Sequence, residues 1–139
     1  MTGSIKCADF NNDGFIDILY TKNSKSHVNP YGSIIYFNNG YGDFNEKNKL
    51  FLENINGSKV ICSDLNRDGL VDIIMDYIIY KNNGDSTFTS LYKFPIVRYS
   101  QLATGDFNND GNIDLLQIVD KKAKLNFNNG NGEFLDYYD

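Results

Sequence analysis

Three nine-residue stretches of this chain set hard oxygen donors at alternate positions around one glycine. They run Asp9-Phe10-Asn11-Asn12-Asp13-Gly14-Phe15-Ile16-Asp17, Asp64-Leu65-Asn66-Arg67-Asp68-Gly69-Leu70-Val71-Asp72 and Asp106-Phe107-Asn108-Asn109-Asp110-Gly111-Asn112-Ile113-Asp114. All share the pattern Asp-x-Asn-x-Asp-Gly-x-x-Asp. Such a density of carboxylate and amide oxygens suits a hard cation with about six to eight flexible oxygen ligands, which is the chemistry of Ca2+. Mg2+ prefers fewer protein ligands and a stricter octahedron.

The spacing predicts ligands at positions one, three, five, seven and nine of each loop, with the glycine at position six allowing the sharp turn. In the first loop these are Asp9, Asn11, Asp13, the Phe15 carbonyl and Asp17. In the second they are Asp64, Asn66, Asp68, the Leu70 carbonyl and Asp72, and in the third Asp106, Asn108, Asp110, the Asn112 carbonyl and Asp114. Position seven offers only its backbone, so its side chain is expected to be free to vary. Three sites are expected in all. The alternative is an Asx-rich turn that needs no metal. Against it stand the triple recurrence and the repulsion within each unneutralised cluster of Asp. An EF-hand needs Glu at position twelve and flanking helices. Here position twelve is Tyr20, Met75 and Gln117, and the segments leaving the loops (Ile-Asp-Ile-Leu, Val-Asp-Ile-Ile, Ile-Asp-Leu-Leu) read as strands.

The elements that position these loops follow from a second repeated signature. Tyr36-Phe37-Asn38-Asn39-Gly40, Tyr80-Lys81-Asn82-Asn83-Gly84 and Asn126-Phe127-Asn128-Asn129-Gly130 each close one apolar stretch, and Phe44, Phe88 and Phe134 open the next. Asn-Gly is a strong hairpin signal because both residues tolerate positive φ. Each repeat thus resolves into four strands. The first strands are Ser4–Ala8, Lys59–Ser63 and Gln101–Gly105; the second are Phe15–Thr21, Leu70–Asp76 and Asn112–Asp120. The third strands are Ser33–Phe37, Tyr77–Lys81 and Ala123–Phe127; the fourth are Asp43–Phe51, Thr87–Phe94 and Glu133–Tyr138. No stretch sustains a helical period.

Four-stranded units recurring at this spacing indicate an all-β chain of three antiparallel β-propeller blades, about 4–51, 58–94 and 100–139, in one domain spanning 1–139. Three blades are fewer than the usual four or more. Completion is therefore expected from a longer chain, from self-association into a ring or from a partner's blades. The polar insertion Lys22–Gly32 between strands two and three lengthens the first repeat and holds His27, the only histidine. It is read as a solvated loop.

Composition agrees. With 41% hydrophobic and 14% aromatic residues a packed core is feasible, and ten Tyr, ten Phe, twelve Gly and much Asn favour strands and turns over helices. The net charge is −5, and the nine loop Asp account for it: without them the chain would carry +4, and three bound calcium ions would bring the formal sum to +1. No basic patch interleaved with aromatics points to nucleic acid, and no apolar run approaches the roughly 18 residues of a membrane span. The opening Met1-Thr2-Gly3-Ser4 has no signal-peptide character, the expectation for a cytoplasmic chain or a trimmed fragment. Cys7 and Cys62 sit at equivalent places two residues before their loops, too far apart in successive repeats for a disulfide, and are expected as small buried side chains. Asn56-Gly57-Ser58 is a glycosylation sequon.

On the three Asp-x-Asn-x-Asp-Gly-x-x-Asp loops and the three Asn-Asn-Gly-x-x-x-Phe turns, the chain resembles tandem repeats of the FG-GAP/VCBS family over essentially its whole length. Such repeats build integrin α-subunit propellers and occur in many bacterial and fungal secreted proteins. The Gly-Ala-Pro of the integrin form is absent, and Asn-Asn-Gly with a following Phe is closer to the VCBS form. The resemblance implies a Ca2+-stabilised, extracellular propeller, with adhesins, lectins, toxin-associated scaffolds and accessory domains of large enzymes among its relatives.

The expected function is a non-catalytic binding module, most concretely a carbohydrate-binding or adhesion propeller whose partner is a glycan or a protein. The alternative is an assembly module whose blades close a ring as a homo-oligomer or within a larger secreted protein or toxin. An enzyme is not expected: the loop Asp are committed as ligands, and no nucleophile–His–acid set or phosphate loop is apparent. Tyr and Asn of the inter-strand turns suit sugar stacking and hydrogen bonding, but equally core packing and turn chemistry.

Overall fold

The computed structural model describes residues 3–22, 32–52, 59–91 and 101–136. They form twelve strands and no helix. The first sheet holds β1 (Gly3–Ala8), β2 (Asp17–Lys22), β3 (Ser33–Tyr36) and β4 (Lys49–Leu52). The second holds β5 (Val60–Ser63), β6 (Asp72–Met75), β7 (Ile78–Asn82) and β8 (Phe88–Leu91). The third holds β9 (Gln101–Gly105), β10 (Asp114–Val119), β11 (Lys122–Asn128) and β12 (Phe134–Asp136). Each sheet is a meander in chain order, antiparallel throughout. These are three β-propeller-type blades. The leading strand β5 lies against β1 on one side and β9 on the other.

Up-and-down connectivity puts the turns after the first and third strands at one end of every blade. The Asp loops and the Asn-Asn-Gly turns therefore share an edge. The opposite end carries the turn between the second and third strands. In the third blade that turn is Asp120-Lys121, both at positive φ (50° and 66°), the two-residue hairpin whose twist matches the strands. Of the insertion Lys22–Gly32, residues 23–31, with His27, lie outside the described residues, as does the sequon Asn56–Ser58.

Two boundaries differ from the sequence reading for identifiable reasons. The second strand of each blade begins at the loop's last Asp, two residues later than expected, because that Asp pairs across to the end of the first strand (Ala8↔Asp17, Ser63↔Asp72, Gly105↔Asp114). In the first blade, Phe44 does not open the fourth strand. Asn45 Oδ1 accepts from the backbone N–H of Lys47 (3.0 Å) and Asn48 (3.2 Å), and this Asx-type turn delays β4 to Lys49.

Alternation along each strand divides its side chains between the two faces of its blade. One core lies between the first two blades: Phe10, Leu19, Ile35, Phe37 and Leu52 meet Val60, Ile73, Met75, Ile78 and Tyr80. The Phe10 ring meets Phe88 edge-on across this boundary, with centroids 6.4 Å apart. A second core lies between the next two, where Leu65, Ile74 and Ile79 meet Leu115. Both cores are thus interfaces between blades, the arrangement of a solenoid-like stack in which no sheet is stable alone. The third blade contributes polar groups to its core face: Gln117 and Asn126 are fully buried and joined by a 2.8 Å hydrogen bond, where the second blade has Met75 and Tyr80.

The cysteines split. Both are free; Cys62 is half-buried and burial pushes its thiol up to about 12, whereas Cys7 is exposed, contrary to the expectation that both are buried. β1, which carries Cys7, is the edge strand of its sheet.

Candidate metal centres

The three loops share their internal wiring, except that the position-five N–H reaches the position-one carboxylate only in the first and third. In the first, the Asp9 carboxylate accepts from Asp13 N–H (3.2 Å) and Gly14 N–H (2.8 Å). Asn11 Oδ1 accepts from Asp13 N–H (3.2 Å), and Asp13 Oδ1 accepts from Phe15 N–H (2.9 Å). The second loop repeats Gly69 N–H to Asp64 (2.9 Å) and Leu70 N–H to Asp68 (2.9 Å). The third repeats Gly111 N–H to Asp106 (2.9 Å) and Asn112 N–H to Asp110 (2.7 Å). In each, the position-three amide also donates to the position-five carboxylate at 2.8 Å (Asn11 to Asp13, Asn66 to Asp68, Asn108 to Asp110). Positions one, three and five thus converge, held by glycines at φ of 84–90°.

Position nine has a second duty that the sequence alone does not disclose. Asp17, Asp72 and Asp114 are buried. One carboxylate oxygen of each accepts from the position-two N–H: Phe10 at 2.8 Å, Leu65 at 3.0 Å, Phe107 at 2.9 Å. The other accepts from the first Asn of the Asn-Asn-Gly turn: Asn38 at 2.8 Å, Asn82 at 2.8 Å, Asn128 at 2.9 Å. One side chain therefore ties the loop to the turn within each blade. Burial pushes Asp17 and Asp72 above the usual carboxylate range, against the two N–H donors; the charges of the two other loop carboxylates add a smaller push in the same direction. Asp110 is held low by the Asn112 N–H and the Asn108 amide.

Position seven varies in identity between the loops (Phe15, Leu70, Asn112), but its side chain has a common place. Its side chain covers the turn glycine of its own blade: a Cβ on Gly40 would lie 2.8 Å from the Phe15 ring, on Gly84 3.1 Å from Leu70, and on Gly130 3.0 Å from Asn112 Oδ1.

In the second and third blades the first Asn of the turn also joins neighbouring blades. Asn82 Nδ2 donates to the Phe10 carbonyl of the preceding blade (2.9 Å) as well as to Val71 O of its own (3.1 Å). Asn128 Nδ2 likewise reaches Leu65 O (2.6 Å) and Ile113 O (2.9 Å). Arg67, at position four, bridges to the third loop through Asn112 Oδ1 at 3.3 Å.

The donor chemistry fits a hard cation. The loops concentrate carboxylate, amide and carbonyl oxygens, and Asp64 Oδ1 is buried with no hydrogen-bond partner, a costly arrangement for a carboxylate oxygen unless something else satisfies it. Among the described residues no group of three or more His, Cys, Asp or Glu side chains is placed to hold a metal ion. The amide of position three and the carbonyl of position seven would have to complete the shell, while position nine keeps its two N–H donors.

Elsewhere, a cleft between the first two blades is lined by Leu50, Phe51, Leu52, Tyr80, Phe88 and Ser90. The Lys49 ammonium, paired with Glu46, lies 4.9 Å from the centre of the Phe51 ring. No sequence motif marks this cleft, whose lining comes from β4 of the first blade and β7 and β8 of the second. Tyr41, on the first Asn-Asn-Gly turn, is 94% exposed.

Residues 9–75, from the first loop through β6, match the family of FG-GAP-like repeats. This stretch is an FG-GAP-type repeat. Its match contains the first two Asp loops and the turn between them, and the same loop and turn recur in the third blade. Comparison with curated proteins yields no match. Among solved structures, the chain is similar to an Agrocybe aegerita lectin, described for its specific recognition of non-reducing terminal N-acetylglucosamine. The likeness has a TM-score of 0.66 at 23% identity and covers 95% of this chain. It bears on the fold. This chain spans 36% of the lectin chain, about a third of its length.

Proposed function

We propose that this chain is a non-catalytic, calcium-stabilised module that binds glycans. The observation that carries the reading is the match of 95% of the chain to a lectin that recognises terminal N-acetylglucosamine. The FG-GAP-type repeat and the oxygen-rich loops support it. In this reading Ca2+ is structural: it neutralises the loop carboxylates and stiffens the edge where loops and turns meet. Asp9, Asn11, Asp13, the Phe15 carbonyl and Asp17 would hold it in the first blade. Asp64, Asn66, Asp68, the Leu70 carbonyl and Asp72 serve the second, and Asp106, Asn108, Asp110, the Asn112 carbonyl and Asp114 the third. The buried, unpartnered Asp64 Oδ1 supports the second site most directly. The working place is extracellular, where calcium supply matches the roughly 10⁻⁴–10⁻³ M affinity of such modules.

The sugar would use exposed aromatic and amide groups, such as Tyr41 and the Asn of the turns, by stacking and hydrogen bonding. A glycan array probed with the protein in calcium and in chelator tests this. Retention on glycans ending in N-acetylglucosamine, reduced by chelation, is expected. An array blank under both conditions for correctly folded protein would overturn the glycan reading.

A further inference from the structure

At two positions the three Asp loops part from one another in chemical type. Position four is Asn12 in the first loop and Asn109 in the third, but Arg67 in the second. Position seven is apolar in the first two, Phe15 and Leu70, but Asn112 in the third. The fold brings these two exceptions together. Arg67 reaches out of its own loop, and its Nη1 donates to Asn112 Oδ1 at 3.3 Å across the boundary between the second and third blades. The guanidinium lies over the third loop's glycine: a Cβ on Gly111 would be 3.4 Å from Nη2, 3.6 Å from Nη1 and 3.7 Å from Cζ.

The boundary between the first and second blades has no such contact. The equivalent residues there are Asn12 and Leu70, and a Cβ on Gly69 would meet nothing within 4 Å. Position four has left-handed backbone in all three loops, with φ of 59°, 62° and 58°. Asn enters that region far more readily than a long side chain such as Arg. The local backbone therefore gives no reason for an arginine at position 67, whereas the reach of its side chain does. Gly111 is flanked by Asp110 and Asn112, two of the residues that would hold a cation in the third blade. A permanent positive charge from the second blade is thus fixed against them.

We infer that Arg67 is a built-in counter-charge that weakens calcium binding by the third loop. The guanidinium offsets part of the charge of Asp106, Asp110 and Asp114 and repels a divalent cation arriving between them. The third blade therefore takes up calcium at a higher concentration than its own ligand set would require. This role rests on the calcium reading proposed above and not on the glycan. Arg67 is a positioning and tuning residue rather than a ligand. Its side chain is exposed, so salt screens the effect, which should amount to about three- to tenfold in affinity.

Calcium titration of the 15N-labelled protein, followed by NMR, tests it loop by loop. The Gly14, Gly69 and Gly111 amides report the first, second and third loops. Arg67→Gln removes the charge and keeps an amide able to donate to Asn112 Oδ1. It should lower the calcium midpoint at Gly111 by about three- to tenfold and leave that at Gly14 unchanged. Arg67→Lys, which keeps the charge, should leave the Gly111 midpoint near that of the unmodified chain. Added sodium chloride should shrink the difference between the Gln variant and the unmodified chain. A Gly111 midpoint that the Gln variant leaves unchanged would overturn the inference, with calcium binding itself intact. So would a midpoint that rises, since that would make Arg67 a strut that shapes the third loop for the metal. If no loop amide of the unmodified chain responds to calcium, the calcium reading fails and takes this inference with it.

Discussion

At the scale of single residues, the last Asp of each loop deserves to be separated from the others. Asp9 is half-buried and Asp13 exposed, but Asp72 is buried and each of its oxygens accepts from a backbone N–H, of Leu65 and of Asn82. Truncation would orphan two N–H groups at once, and each unsatisfied buried group costs about 1–3 kcal/mol. Asp72→Ala, measured by urea unfolding in chelator so that no metal contributes, should therefore lose about 2–6 kcal/mol. Asp72→Asn, which keeps one acceptor oxygen, should lose less. A loss below about 1 kcal/mol for the alanine variant would show that the clamp does not hold the blade. The presence of an Asp at position nine was plain in the sequence. Its two hydrogen-bond partners were not, because Asn82 lies ten residues away, beyond a hairpin whose register only the folded sheet defines.

At the scale of elements, the Asp loop and the Asn-Asn-Gly turn act as one unit, joined by the position-nine clamp and by the position-seven side chain lying on the turn glycine. Gly40 sits at φ +85°, and a Cβ there would be 2.8 Å from the Phe15 ring. Gly40→Ala combines a left-handed backbone penalty of about 1–2 kcal/mol with displacement of that ring. The steric part should vanish when Phe15 is also cut to Ala. The double variant should thus lose less than the sum of the singles by about 0.5–3 kcal/mol, read from melting curves; strict additivity would show that the ring and the turn are independent. The twelve strands and their antiparallel order were legible from alternation and turn residues. Their exact starts were not, since the loop's closing Asp is both a loop residue by chemistry and a strand residue by pairing.

At the scale of the molecule, stability is shared between two inter-blade cores and whatever occupies the loops. If the loops hold Ca2+, chelation should lower the melting temperature and added Ca2+ should restore it, with Mg2+ a poor substitute. Linkage gives about 2.7 kcal/mol per site at a free concentration one hundred times Kd. An identical melting temperature in chelator and in millimolar Ca2+ would sink the calcium proposal while leaving the clamp and the blade interfaces intact.

What the sequence by itself determined is the repeating unit: where the oxygen donors fall, which residues turn the chain and how many blades there are. These are short-range properties, set by residue type and by spacings within a few residues. Tertiary structure decided which faces meet. Phe10 and Phe107 have the same identity and the same place in the same motif, yet one is wholly buried and the other 45% exposed. The difference lies in whether another blade stands beside them, and burial of apolar surface depends on that neighbour rather than on the motif.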